Sequence, residues 1–299
     1  MKIQMLGTGN AMVTNCYNTC FMMEHQGEYL LVDAGGGNQI LQKFKEIQVP
    51  FDRFHHMIVT HAHTDHILGV IWVIRQMATL MKKGTYEGDF IIHCHQGISD
   101  LLPGLCKALL AKGQSKYIED RILFDTVGDG DTRELLGQKV NFFDIHSTKL
   151  EQYGFRMEPL DDVADCREPL DDAGNERLSD HKTLEQQFDR KTPVLVCLGD
   201  EPYNELNKQL VTGADYLMCE AFCLYEHREK YKPYEKHHST ALDAGKLAEE
   251  LGIKNLILYH TEDDHLDIRK EAYTREAKEF FSGNVFVPDD MEVLVLSSN

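Results

Sequence analysis

The run Thr60-His61-Ala62-His63-Thr64-Asp65-His66 sets three imidazoles and one carboxylate within six positions, directly after the apolar Met57-Ile58-Val59. Imidazole nitrogen and carboxylate oxygen are the donors that zinc and similar borderline cations take, and no cysteine lies within the run. In an extended segment His61 and His63 point to one side, because side chains alternate with period two. Asp65 and His66 are adjacent and point to different sides, so one short turn can serve two neighbouring metals. A merely solvated histidine-rich loop gives no reason for four ligand-type residues beside a buried strand.

The same arrangement recurs where other apolar runs end. His146 follows Val140-Asn141-Phe142-Phe143-Asp144-Ile145, Asp200 follows Val194 to Gly199, and His260 follows Asn255-Leu256-Ile257-Leu258-Tyr259. The carboxyl ends of strands are where α/β proteins assemble their sites. One polar residue after a strand is ordinary surface. Four strand ends that each deliver His or Asp form a joint pattern.

Hydrophobic periodicity and turn residues predict the elements that must position these groups. Strands are expected over 2–6, 19–24 and 28–33, with Gln26-Gly27 and Gly35-Gly36-Gly37 as turns, then a helix over about 38–47 that stops before Pro50. A buried strand at 57–60, a helix over about 67–82, strand 89–94, helix 98–112 and strands 121–125, 138–145 and 153–158 follow. The second half repeats the scheme with strand 194–198, helix 202–211, strand 215–219, helix 240–251, strand 255–259, helix 268–281 and strand 292–296. Between the halves, over about 159–191, the chain turns polar and acidic and reads as an insertion outside the core. Short buried strands alternating with helices predict sheets covered by helices.

With 299 residues and 42% hydrophobic content, the chain is long enough for one large domain or two ordinary ones and hydrophobic enough to fold. No linker separates the halves, about 1–158 and 192–299, so a single domain over 1–299 is expected. No apolar run reaches membrane-spanning length, and Met1 to Gly9 reads as a strand entering a glycine loop, so a cytoplasmic protein without membrane contact is expected. The cysteines at 16, 20, 94, 106, 166, 197, 219 and 223 form no C-x-x-C pair and are expected as reduced thiols. A formal charge of −18 opposes non-specific binding of nucleic acid, which needs a basic surface, although a local basic patch can sit on an acidic protein.

In the order and types of these residues the chain resembles the metallo-β-lactamase fold superfamily, specifically its ribonuclease Z-like branch, over nearly its whole length. Leu6-Gly7-Thr8-Gly9 resembles the family's opening loop, Leu31-Val32-Asp33-Ala34-Gly35 its second glycine turn, and Thr60 to Gly69 its H-x-H-x-D-H signature. His146, with Tyr153-Gly154-Phe155 downstream, looks like the third motif and Gly199-Asp200 like the fourth. The stretch from His238-Ser239-Thr240-Ala241 to Leu258-Tyr259-His260 is similar to the region carrying that branch's extra catalytic histidine and last metal ligand. Glu220 matches the acidic partner of that histidine, and Asn284 to Leu296 looks like the family's final strands.

The resemblance implies an α/β (α+β) fold: a four-layer αβ/βα sandwich of two mixed sheets packed face to face, helices outside, with the metal site at one edge between the sheets. It implies two zinc ions, with manganese or iron(II) as alternatives. One would be held by His61, His63 and His146, the other by Asp65, His66 and His260, with Asp200 bridging. Two such cations share a water, lower its pKa toward neutrality and clamp both oxygens of a displacement at phosphorus. Asp65 would orient or deprotonate that water. His238, held by Glu220, would protonate the departing alkoxide or steady charge on the phosphoryl oxygen. A zinc-dependent phosphodiesterase is the expected activity, and the branch's habit of pairing admits a homodimer.

Three departures point away from tRNA 3′ processing and toward a small or nucleotide-like phosphodiester, with RNA second. The turn Gly35-Gly36-Gly37-Asn38-Gln39 lacks the acidic residue that tRNA-processing members tend to place there. Glu201 follows Asp200 where Thr or Ser is usual, adding negative charge that would weaken phosphate binding. No basic, Gly/Pro-rich arm is present. A tRNA 3′ endoribonuclease therefore stands as an alternative, as do an ester, lactone, thioester or β-lactam hydrolase on the same centre and a non-enzymatic binding module. His238 has a rival reading as a helix-start residue, because Ser239-Thr240 can cap a helix. Gly7-Thr8-Gly9 is a weak nucleotide-loop signal. His93 and His95 look like a metal clip but fit a structural role better. Asp263-Asp264-His265 reads as a pocket rim, and the aromatic and basic stretch 225–238 as substrate contact or an amphipathic surface segment.

Overall fold

The computed structural model describes residues 1–160 and 192–298. Most of the acidic stretch read as an insertion, from 161 to 191, therefore lies outside the described residues.

In the first half, β1 (Lys2–Gly7), β2 (Cys20–His25) and β3 (Glu28–Val32) run antiparallel. β4 (Phe54–Val59), β5 (Phe90–Cys94) and β6 (Ile122–Thr126) continue the sheet in parallel through the crossover helices α1 (Gln39–Glu46), α2 (Thr64–Lys83), α3 (Gln96–Leu109) and the short α4 (Lys112–Ser115). The second half mirrors it. β7 (Thr132–Leu135), β8 (Gln138–Asp144), β9 (Tyr153–Pro159) and β10 (Leu195–Cys197) are antiparallel neighbours; β11 (Tyr216–Glu220), β12 (Asn255–Tyr259) and β13 (Asn284–Phe286) add on in parallel. Its helices are α5 (Lys208–Val211), α6 (Arg228–Tyr231), α7 (Ala241–Glu250) and α8 (Arg269–Ala277). β14 (Val293–Val295) returns to pair with β1, giving two seven-stranded sheets ordered β14-β1-β2-β3-β4-β5-β6 and β13-β12-β11-β10-β9-β8-β7.

Alternation along the strands sorts the side chains into layers. Met5, Phe21, Leu30, Val32 and Ile58 of the first sheet face Phe142, Phe155, Leu195, Met218 and Ile257 of the second, forming one apolar cluster from both halves of the chain. The opposite faces are covered by helices: Leu31, Met57 and Val59 pack under Val70, Ile74 and Met77 of α2, and Leu217, Leu256 and Leu258 under Ala244 and Ala248 of α7. This is the four-layer αβ/βα sandwich. β11 and β12 are buried along their whole length, as central parallel strands covered on both faces must be.

Several elements differ from expectation: α4 and α6 are additional short helices, and β4 starts at Phe54 rather than 57. β7 is absent from the sequence reading, because Thr132-Arg133-Glu134-Leu135 is short, polar and at a sheet edge. The helix expected over 202–211 shrinks to one 3-10 turn and the four residues of α5. α2 starts at Thr64, not about 67, which puts Asp65 and His66 inside its first turn.

α2 sits directly on the Ala34–Gly35 turn because Gly69 has no side chain. Gly69 N donates to Gly35 O at 2.8 Å, and a Cβ there would stand 1.9 Å from Ala34 O. Gly69→Ala is expected to lower unfolding free energy by about 3 kcal/mol in urea titrations, as overpacking against backbone does. Gly104→Ala, on the exposed face of α3 with open space around it, should be neutral or stabilising by up to about 1 kcal/mol. Equal effects of the two would show that α2 is not seated as described.

Candidate metal centre

The site lies where the two sheets meet at the carboxyl ends of their strands, and backbone bonds sew that edge together. Tyr153 N donates to Thr60 O at 3.0 Å, Thr261 N to Thr8 O at 3.1 Å, and Asn10 N to Thr261 O at 2.9 Å. Three residues that turn the chain there, Asp33 after β3, His146 after β8 and His260 after β12, have φ of +53°, +59° and +60°. Non-glycine residues enter this left-handed region at a cost of about 1–3 kcal/mol, and such strain gathers at functional sites. Gly199, with φ +74°, makes the equivalent turn before Asp200 at no such cost.

Hydrogen bonds behind three of the histidines decide which nitrogen each presents. Asp33 Oδ2 accepts from Thr60 Oγ1 at 2.6 Å and from His66 Nδ1 at 2.8 Å, while Asp33 Oδ1 accepts from Thr60 N at 2.8 Å. A hydroxyl has one proton, and that of Thr60 is committed to Asp33, so His61 Nδ1, 2.9 Å from Thr60 Oγ1, must be the donor of that pair. Thr19 repeats the device: its hydroxyl donates to Gly9 O at 3.0 Å, so His260 Nδ1, at 3.2 Å, donates to Thr19 Oγ1. His61, His66 and His260 are all buried, and each is left with Nε2 to offer a lone pair.

Those Nε2 atoms converge on Asp200. Its Oδ2 lies 3.3 Å from His61 Nε2, 3.4 Å from His66 Nε2 and 3.6 Å from His260 Nε2, and Asp65 Oδ2 lies 3.3 Å from His66 Nε2. His61 Nε2, His66 Nε2, Asp65 Oδ2 and Asp200 Oδ1 are buried without a geometrically acceptable hydrogen-bond partner. Two donors each about 2.0–2.1 Å from one tetrahedral zinc stand about 3.3 Å apart, so the spacing fits a shared cation. Electrostatics agree. Burial alone would depress the His66 pKa, yet Asp33 and Asp65, with Asp200 behind them, raise it well above its ordinary value, so this nest of carboxylates calls for positive charge, either a proton on His66 Nε2 or a cation that displaces it and takes the lone pair. Burial holds the His260 pKa down to about 3, which keeps its lone pair free.

The donor atoms fall into the groups Asp65/His66/Asp200/His260, His61/His63/Asp200 and Asp33/His61/His66. Six of the seven residues expected as ligands are thus together. His146 stands outside these groups: its side chain is one-third exposed, with Nδ1 3.5 Å from Asp144 Oδ2. Asp33, Thr60 and Thr19 are site residues that the sequence pattern above does not single out. Asp33 follows the apolar Leu30-Leu31-Val32, so the strand-end pattern could have found it; the two hydroxyls carry no such signal.

His238 stands beside the cluster, its ring centroid 5.1 Å from that of His260. Its Nδ1 lies 3.6 Å from the fully buried Glu220 Oε2, and its ring stacks on Phe222 at 4.7 Å and 12°. Burial disfavours the imidazolium, but Glu220 outweighs it and raises the His238 pKa. The helix-cap role belongs to Thr240, which forms a reciprocal capping box with Asp243; Ser239 N donates to Glu220 Oε1 at 2.5 Å, and Glu220 thereby ties the His238 segment down. A cavity of about 420 Å³ opens over Asp65, Asp200, His260 and His238, with Lys149 and Lys236 at its walls.

Glu201 does not face the cavity contents in the way its charge suggested: Oε1 accepts from Ser147 Oγ at 2.7 Å and Gln152 Nε2 at 3.4 Å. His93 donates to Asp125 Oδ2 at 2.7 Å and contacts His56 at 3.1 Å, while His95 stacks on Tyr153; neither belongs to a metal-type group among the described residues. Asp263 braces the rim, accepting from Thr14 N and Asn15 N at 2.6 Å each. The seven described cysteines are free thiols. No described helix is long and apolar enough to cross a membrane.

The family model for Anti-Pycsar protein Apyc1 matches residues 1–157, more than half of the sequence and everything from β1 to His146. The chain belongs to this family. It is also similar to the ribonuclease Z of Nitrosopumilus maritimus, 27% identical with 98% of this chain and 99% of that protein covered. Among solved structures, the metallo-β-lactamase fold protein YhfI of Bacillus subtilis superposes with TM-score 0.69 at 19% identity, covering 98% of both chains. The human short-form tRNase Z gives 0.66 at 16% identity, covering 99% of both. The fold is the metallo-β-lactamase fold, and the chain stands in its ribonuclease Z-like branch.

Asp33→Asn keeps a residue type that tolerates positive φ but weakens the acceptor behind Thr60 and His66. Competition with a zinc chelator should show affinity reduced about 10–100-fold, the usual effect of losing such a partner. Unchanged affinity would mean that Asp33 does not orient these ligands.

Proposed function

We propose that the protein is a metal-dependent hydrolase that cleaves a phosphodiester in a small or nucleotide-like substrate. The observation that carries this reading is the convergence of three histidine Nε2 atoms on Asp200 beside the His238–Glu220 pair, all on one cavity. The donor set fits two zinc ions. His61, His63 and Asp200 would hold one, joined by His146 if its ring turns from Asp144; Asp65, His66 and His260 would hold the other, with Asp200 shared between them. Bound there, the metals supply an acidified water and positive charge for the phosphoryl oxygens.

The chain's own groups do the rest. Asp65, at the first turn of α2, orients the attacking water or accepts its proton through a carboxylate oxygen. His238 has Nδ1 toward Glu220, so Nε2 is the atom that delivers a proton to the leaving alkoxide. Phe222 fixes the plane of that ring, and Glu220, fully buried, favours its protonated form. Asp200 sets the distance between the two halves of the site, because it stands on the turn after β10 while the His run follows β4.

The similarity to proteins named ribonuclease Z over 98% of the chain supports tRNA 3′ processing as a second reading. Cleavage of a precursor tRNA by the purified protein at a rate matching that on a small diester would favour it.

Zinc-loaded protein should hydrolyse bis(p-nitrophenyl) phosphate and lose that activity with a chelator. His238→Ala should lower kcat about 10²–10⁴-fold with metal content unchanged, the range for removing a general acid. Full activity in that variant would remove His238 from the mechanism. A wild type that hydrolyses carboxylic esters or lactones but no phosphodiester would overturn the reading.

A further inference from the structure

We infer that Lys149 and Lys236 form an anion clamp at the mouth of the metal cavity, built for a phosphate or phosphodiester group of single-nucleotide size, and that Glu201 positions it. The identity of the reacting substrate rests on the phosphodiesterase reading above; the clamp itself rests on separate observations.

A chain of charge −18 repels anions, so an anionic substrate needs a local exception. The cationic side chains that line the 420 Å³ cavity are Lys149 and Lys236, and neither forms an ion pair with a carboxylate among the described residues. They come from segments far apart in sequence: the loop after β8 and the turn Tyr234–Lys236 before His238. Two contacts clasp these segments together. Lys149 Nζ donates to Lys236 O, and Thr148 Oγ1 meets His237 Nδ1 at 3.2 Å. The Lys236 ammonium is held 4.9 Å above the ring of Phe222, the same ring that stacks on His238. One end of the clamp is therefore fixed next to the proposed proton donor.

Glu201 explains the other end. Its Oε1 accepts a hydrogen bond from the Ser147 hydroxyl, and the oxygen of Ser147 in turn accepts from Lys149 N at 3.2 Å and Leu150 N at 3.3 Å. One buried carboxylate thus shapes the turn that carries Lys149. A residue that would oppose phosphate if it faced the cavity serves phosphate by holding a lysine there. The apolar rim on the same cavity, Met12 at 85% exposed and Phe222, suits a flat ring attached to the anion.

The test uses zinc-loaded full-length protein, with inorganic phosphate binding followed by calorimetry and bis(p-nitrophenyl) phosphate hydrolysis followed in parallel. Both lysines are exposed, so the variants should fold. In the Lys149→Ala/Lys236→Ala double variant, KM and the phosphate Kd should each rise about 10-fold, as expected for two charge-assisted contacts at a partly solvated site, with kcat within about 3-fold. Lys149→Arg/Lys236→Arg should stay near wild type. Glu201→Ala should reproduce the KM effect of Lys149→Ala at unchanged zinc content, and Glu201→Gln, which keeps an acceptor for Ser147, should restore it. If wild type hydrolyses the diester and the double variant matches it in KM and phosphate Kd, the clamp is wrong while the function stands. If wild type hydrolyses no phosphodiester, the function reading falls, and the phosphate Kd alone still decides for or against the clamp.

Discussion

Two threonine hydroxyls and one buried carboxylate set the chemistry of this site, because each hydroxyl owns a single proton. Thr60 gives its proton to Asp33 and Thr19 gives its own to Gly9 O, so His61 and His260 must each donate from Nδ1. His66 donates to Asp33 directly. Three rings from two sheets thereby present the same atom, Nε2, toward Asp200. Without that constraint the imidazoles could offer either nitrogen, and the cluster would be a set of histidines without a shared focus. The glycine-rich opening loop serves the same end: Gly9 supplies the carbonyl that commits Thr19.

The fold maintains this focus at a cost. Asp33, His146 and His260 occupy left-handed backbone conformations directly after strands, positions where glycine would be easier. The two sheets tolerate it because the apolar cluster between them and the backbone bonds across their edge over-determine where each strand ends. His146 shares this backbone geometry with Asp33 and His260, while its ring faces Asp144. Buried carboxylates add a second cost. Asp65 and Asp200 lie among His61 and His66 with an oxygen of each carboxylate and the Nε2 of each ring unsatisfied, an arrangement that a cation would stabilise.

Much of this was legible in the sequence, for identifiable reasons. Two-residue alternation made His61 and His63 readable as a pair, and apolar runs ending in Asp200 and His260 exposed the strand-end pattern. Glu220 and His238 came from resemblance alone, and spacing could not have joined residues on a strand and a turn. What escaped has physical causes too. α2 begins at Thr64 with His63 as an extended N-cap that makes no side-chain cap, so the N-cap position lacks the Ser, Thr, Asp or Asn that would signal a start. β7 is a polar edge strand without a hydrophobic signal. Thr19, Thr60 and the Glu201–Ser147–Lys149 chain act through single hydrogen bonds between distant segments, which composition and periodicity do not encode. Glu201 is the sharpest case: its charge read as a liability, and only its partners reveal a different task.

The proposed chemistry requires Nε2 atoms aimed at a common cation site around Asp200. Anomalous X-ray scattering at the zinc edge, on crystals of protein loaded with zinc and then dialysed, tests this most directly. Two peaks are expected per chain, both in contact with Asp200, one bounded by His61 and His63 and the other by Asp65, His66 and His260. No retained zinc, or zinc bound away from Asp200, would contradict it.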